Sequence, residues 1–304
     1  MRTVVTVTPN AAVDWTCFVA ALRPRARQEA RTAGRQAGGK GVNVSRVLAA
    51  LGVPVRSVVV VGGATGAEIA RDLEAARLAP VVVQAPGESR TCLEIVEESS
   101  GAATQLHGRG VEADAATARA LVAAVEGALD GAAWLALCGS LPPGLPADVY
   151  STLIDVARAR GVRVALDASG DALSAAWRAR PDLLRINRDE ASALPGGADA
   201  ASAAAPLGAV SDGPREIAAW EPGRTWRVGP PSIRPRNPIG CGDAMLAGLL
   251  ARADAGPFAE ALRFAAALAA AEAASPVAGR PDLAAVDALL ADVALRAETP
   301  GARA

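Results

Sequence analysis

Histidine occurs once in the 304-residue sequence, at His107, and lysine once, at Lys40. A single histidine excludes chemistry that needs a histidine cluster and argues against a Ser-His-Asp triad. The four cysteines, Cys17, Cys92, Cys138 and Cys241, are scattered and show no CxxC spacing. They indicate neither a disulfide framework nor a zinc site, so a reducing, cytoplasmic setting is expected. No apolar run approaches the ~20 residues that span a bilayer, although apolar residues make up 51% of the chain. The start, Met1-Arg2-Thr3-Val4-Val5, reads as a first strand and lacks the organisation of a signal peptide. A formal net charge of −1 offers no basic surplus for an acidic polymer or lipid surface. Neither a nucleic-acid nor a membrane partner is expected.

Positive charge is carried almost entirely by arginine: Lys and Arg total 31, and one of them is Lys. That makes Lys40 worth attention, although chance retention would explain it too. The length allows one large α/β domain with a sizeable core, or two small ones. Apolar, β-branched runs at 3–7, 55–61 and 162–166, and a further one at 134–138, predict strands. Helical patterns lie near 42–51, 67–78, 115–129 and 149–160. Continuous apolar strands alternating with amphipathic helices predict a mainly parallel sheet covered on both faces. The last third reads as helical from Asp243 through about 274, and again near 283–295. Residues 196–205, rich in Ala and Gly, read as a loop or short helix. Two stretches break the rhythm: 14–38 is polar and arginine-rich, and 90–106 reads as a hairpin turning at Ser99-Ser100-Gly101. Both are candidates for a small β lid, or for surface hairpins without function.

Three local patterns carry chemistry. Asn237-Pro238-Ile239-Gly240-Cys241-Gly242-Asp243 precedes a helical run. Glycines bring backbone N–H groups close to an anion, and a helix N-terminus adds unpaired donors and a favourable dipole. An aspartate there can take a proton from an attacking hydroxyl; it can equally be a helix cap. Gly38-Gly39-Lys40-Gly41-Val42-Asn43 also opens a helix but lacks the spacing of a Walker loop. It suits a polyhydroxy ligand, with a plain glycine-rich turn as the alternative. Asn187-Arg188-Asp189-Glu190 follows a predicted strand at 182–186. Glu190 there could order waters on Mg²⁺, or simply start a helix.

In this order, the three patterns resemble the PfkB (ribokinase-like) carbohydrate kinases. Thr8-Pro9-Asn10-Ala11-Ala12-Val13-Asp14, Cys138-Gly139-Ser140-Leu141-Pro142-Pro143-Gly144 and Leu166-Asp167-Ala168-Ser169-Gly170 extend the resemblance along nearly the whole chain. It looks most like the phosphosugar branch, the 1-phosphofructokinases and tagatose-6-phosphate kinases. The resemblance implies a three-layer α/β/α fold, one domain over 1–304 with lid segments at about 14–38 and 88–108, and a homodimer formed through the lid. It implies ATP and Mg²⁺ as cofactors. Asp243 would be the base, and Gly240, Cys241 and Gly242 the anion hole. Asp14, Gly39, Lys40 and Asn43 would hold the sugar, and Arg90 a phosphate it already carries. Asn187, Ser211 and Gly213 would lie at the nucleotide, and Glu190 at the metal.

The chain departs from the pattern in several places. Glu94 stands four residues after Arg90, where that branch would have a lysine on the same lid face. A carboxylate there would repel a sugar phosphate. Either another arginine compensates, from among Arg27, Arg31 and Arg35, or the substrate carries no phosphate. His107 stands where a small or amide residue is usual, and Arg185-Ile186 replaces Lys-Pro. The segment 191–209 is short for the family. Cys241 replaces Ala or Ser, and a thiol at a helix N-terminus can have a lowered pKa and be oxidation-sensitive. The expected reaction is ATP-dependent phosphorylation of a phosphorylated ketohexose. A kinase of an unphosphorylated sugar, aminosugar or nucleoside is the alternative, and a non-catalytic sugar-binding protein is a third reading.

Overall fold

The computed structural model describes residues 3–298. The chain begins β1 (Thr3–Thr8), β2 (Ala12–Val19), β3 (Arg31–Gly38), α1 (Lys40–Ala50), β4 (Val55–Val61), α2 (Gly63–Ala75) and β5 (Pro80–Gln84). Next come β6 (Arg90–Glu97), β7 (Ala103–His107), α3 (Ala115–Ala128), β8 (Ala132–Gly139), α4 (Val149–Ala159), β9 (Arg163–Ala168) and α5 (Gly170–Ala176). The remainder runs β10 (Leu183–Asn187), α6 (Arg188–Ala193), α7 (Gly197–Ala204), β11 (Leu207–Ser211), β12 (Ile217–Glu221) and β13 (Arg224–Gly229). It closes with α8 (Cys241–Arg252), α9 (Phe258–Ala273), α10 (Val286–Ala291) and β14 (Ala294–Glu298).

Ten strands form one sheet in the order β14-β13-β12-β11-β10-β9-β8-β1-β4-β5. From β5 to β11 neighbours are parallel, and β12, β13 and β14 add an antiparallel edge. Side chains alternate between faces, and the core records it. Val58 and Val60 of β4 pack with α3 and α4, whereas Val59 and Val61 pack with Ile69 and Leu73 of α2. On β8, Leu135 and Leu137 face the first layer, and Trp134 and Ala136 face α1, α8 and α9. Burial on both faces explains why these strands read as continuous apolar runs, and the three-layer α/β/α expectation is met.

A second sheet, ordered β3-β2-β6-β7, is built from the two segments that broke the rhythm. β6 and β7 form the expected hairpin, with Gly101 at φ 72° in its turn. Two expectations are corrected. The helix read through 243–274 is two helices, α8 and α9, parted at Gly256-Pro257, because proline cannot continue the hydrogen-bond ladder. The helix read over 283–295 shrinks to a 3₁₀ turn (Leu283–Ala285) and α10. Leu295 lies in β14, paired with Val228.

Candidate active site

The carboxyl ends of β1, β8, β9 and β10 and the N-termini of α1 and α8 meet at one cleft, roofed by the second sheet. The cleft encloses about 380 Å³. This is where open parallel sheets place ligands. Asp14, Gly39, Lys40, Asn43 and Arg90 line it, and so do Asn187, Glu190, Gly240, Gly242 and Asp243. Three predicted residues stand outside the lining. Cys241 lies one residue into α8, Ser211 ends β11, and Gly213 is exposed in the turn after it, at φ 56°.

Asp243 enters the cleft from the first turn of α8. Gly240 caps that helix at φ 88°, a conformation a side chain resists. The Asn43 amide of α1 donates to Asp243 Oδ2 at 2.8 Å, so the two helix N-termini meet at this carboxyl. Burial, and then the carboxylate of Asp167, push Asp243 up to about 7, against Lys40, the Asn43 bond and Arg185. A carboxyl that gives and takes a proton near neutrality is suited to acid–base work.

Asp167, at the end of β9, was visible in a motif but had no assigned role. It is buried and accepts from Lys40 Nζ at 2.7 Å and Arg185 Nη1 at 3.0 Å. Burial disfavours its charge, but Lys40 and Arg185 outweigh burial and hold it below the usual carboxylate range. Of the two acids, Asp167 therefore stays charged, and Asp243 is the one that exchanges a proton near neutrality. Lys40 also reaches Glu190 Oε1 at 3.3 Å. Burial opposes its charge, yet Asp167 and Glu190 keep the ammonium above its ordinary range. The lone lysine is thus committed to two carboxylates. Arg185 occupies the place of the expected lysine. It donates to Ser211 Oγ at 2.8 Å and lies so close to Gly242 that an added Cβ there would sit 2.2 Å from Nη1. Its guanidinium links the ends of β9 and β11 and lies against the first turn of α8.

At the lid end, Asp14 is buried and pushed up to about 6 by burial, against the Gly39 N–H, Arg90 and Arg46. Arg90 donates from Nε to the Asn10 carbonyl at 3.1 Å. Glu94 does point into the cleft, as the alternation required, and is 2% exposed. Thr16 Oγ1 donates to it at 2.8 Å. Burial and then Asp14 raise it to about 7, opposed by hydrogen bonds from Thr16, Asn237 and Gln105. His107 lines the cleft too, and burial followed by Arg90 holds it below its usual value. None of Arg27, Arg31 or Arg35 lines the cleft; Arg31 pairs with Glu98 at 2.7 Å and Arg35 with Glu68 at 2.8 Å. Compensation for Glu94 from those arginines is therefore not found within the subunit.

Asn187 and Glu190 form a reciprocal capping box at the start of α6, at 2.8 and 2.9 Å. Among the described residues, no group of three or more His, Cys, Asp or Glu is placed to hold a metal. Mg²⁺ takes few protein carboxylates and keeps several waters, so Glu190, one of four carboxylates lining the cleft, fits a water-mediated contact. Cys241 corrects an expectation. Burial, then Glu272 and Asp243, push its thiol up to about 12, overriding the helix terminus.

Known proteins resemble this chain in sequence and fold. The sequence pattern of the family described as pfkB family carbohydrate kinase matches residues 3–283. The 1-phosphofructokinase of Rhodobacter capsulatus is 35% identical over 266 residues, covering 83% of this chain and 84% of that protein. The tetrameric inhibited form of phosphofructokinase-2 from Escherichia coli superposes with a TM-score of 0.84 at 27% identity, covering 96% of this chain and 99% of that one. A possible 1-phosphofructokinase from Thermotoga maritima shares the fold, with a TM-score of 0.88 at 22% identity, covering 98% and 100%. The fold and cleft define a carbohydrate-kinase architecture. The chain belongs to the pfkB family of carbohydrate kinases.

Proposed function

We propose that this protein transfers the γ-phosphoryl group of ATP to a hydroxyl of a phosphorylated ketohexose, of the fructose 1-phosphate, fructose 6-phosphate or tagatose 6-phosphate type. The observation that carries the reading is Asp243: a buried carboxyl titrating near neutrality, aimed into the cleft from a helix N-terminus. Asp243 takes the hydroxyl proton, and the hydroxyl oxygen bonds to the γ-phosphorus. The bond from that phosphorus to the β–γ bridging oxygen breaks, its electron pair leaving with ADP. Backbone N–H groups of Gly240, Cys241 and Gly242 stabilise the transferring oxygens. Asp14, Gly39, Lys40 and Asn43 hold the sugar, and Arg90 the existing phosphate. Asn187, Ser211 and Gly213 border the nucleotide, with Lys40 and Arg185 supplying positive charge. Bound Mg²⁺ would neutralise phosphate charge, with Glu190 ordering its waters.

The whole chain acts as one kinase domain whose 14–38 and 88–108 segments form the lid. A homodimer through the lid is supported by an apolar row across three strands, Trp15, Leu93 and Leu106, with Trp15 37% and Leu106 56% exposed. Glu94 favours a second reading, a kinase of an unphosphorylated sugar. ATP consumption against a panel of ketohexoses and their phosphates separates the two. Asp243→Asn should lower kcat by about 10²–10⁴-fold, and near-normal turnover would remove it as the base.

A further inference from the structure

The lid face of the cleft holds three titratable groups that the reaction above does not use: Glu94, His107 and the Cys92 thiol, which burial pushes up to about 11. Arg90, Cys92 and Glu94 alternate onto one face of β6, and β7 sets Gln105 opposite Glu94 and His107 opposite Cys92. His107 therefore sits diagonally between Arg90 and Glu94, which flank Cys92 on the cleft side. β2 brings Asp14 and the Thr16 hydroxyl against Glu94, and the loop before α8 brings the Asn237 amide. Among the described residues lining the cleft, Arg90 is the lid's one permanent cation.

We propose that Glu94 and His107 form, with Arg90, a proton-linked clamp for the phosphate that the sugar already carries. The proposal rests on the ketohexose-phosphate reading and explains how Glu94 is compatible with it. As a carboxylate, Glu94 would repel the phosphate; as a carboxylic acid it donates a hydrogen bond to it. Burial beside Asp14 already raises Glu94 to about 7, so the acid form is populated near neutrality in the empty cleft. His107 is held neutral by burial and Arg90, but an arriving dianion favours its charged form and the neutral form of Glu94. Both changes bind a proton. Sugar-phosphate affinity therefore falls as the pH rises through the range of Glu94. A lysine at this position would give no such dependence there.

Titration calorimetry with fructose 1-phosphate, fructose 6-phosphate and tagatose 6-phosphate, in two buffers of different ionisation heat, counts the protons taken up. The second ionisation of a phosphate lies near ~6 and is largely complete above about pH 7, so changes beyond that belong to the protein. The dissociation constant should rise about tenfold from about pH 7 to about pH 8.5, with about one proton bound per site. Glu94→Gln should flatten this limb, His107→Asn should reduce uptake only at lower pH, and KM for ATP should not move. An identical slope in Glu94→Gln, or sugar-phosphate binding without proton uptake, overturns the clamp alone. Binding of an unphosphorylated sugar and of no ketohexose phosphate overturns the phosphosugar reading and the clamp with it. If Glu94→Gln melts early, Glu94→Lys carries the same test: it should bind independently of pH and, at about pH 8.5, more tightly than wild type. Weaker binding there overturns the proposal.

Discussion

Two buried aspartates, Asp167 and Asp243, sit within electrostatic reach of each other, and of the two Asp243 exchanges a proton near neutrality. Asp167 holds its charge because Lys40 and Arg185 both donate to it, and that charge in turn lifts Asp243. Asp167→Asn removes the repulsion and frees both cations to favour the Asp243 carboxylate. The acid limb of the kcat/KM profile should then move down by about one pH unit. A merely structural residue would lower stability without moving that limb. The sequence showed Asp243 through its glycines and helix start, and Asn43 and Glu190 through their motifs. It could not assign Asp167 or Arg185, because their roles arise from partners 127 and 18 residues away.

Helix and strand geometry explains which elements were readable. The 55–61 run matches β4 because a strand buried on both faces is uniformly apolar. β14, Ala-Leu-Arg-Ala-Glu, has helical propensity throughout and is a strand only because β13 offers an edge. α6 is six residues long and depends on the capping box between Asn187 and Glu190. Its charge also faces the cleft, so capping and metal roles can be separated. Glu190→Gln keeps an acceptor for the Asn187 N–H but removes the charge. The Mg²⁺ concentration for half-maximal rate should rise several-fold, while the melting temperature should fall little. A metal titration that superposes on wild type would leave Glu190 as a cap only.

At the scale of the molecule, the ten-stranded sheet makes a base and the four-stranded sheet a roof, and the cleft lies where they meet. The outer row Trp15, Leu93 and Leu106 leaves apolar surface on the roof, and such surfaces mark contacts. Sedimentation at micromolar concentration should show a dimer, and Leu106→Glu should shift it towards monomer. A monomeric wild type would count against lid pairing. The lid was legible as two interruptions of the strand–helix alternation. Its facing was legible at Glu94 but not at His107, whose side chain joins the cleft only through the pairing of β7 with β6.

The ion pair of Lys40 with Asp167 has a consequence for how the protein can be observed. Apart from the amino terminus, the chain offers an amine-selective reagent a single target, and that amine lines the cleft. The bond to Asp167 keeps it protonated and slow to react. Its labelling rate therefore reports, in one peptide, whether the cleft is filled and whether that carboxylate still holds its partner.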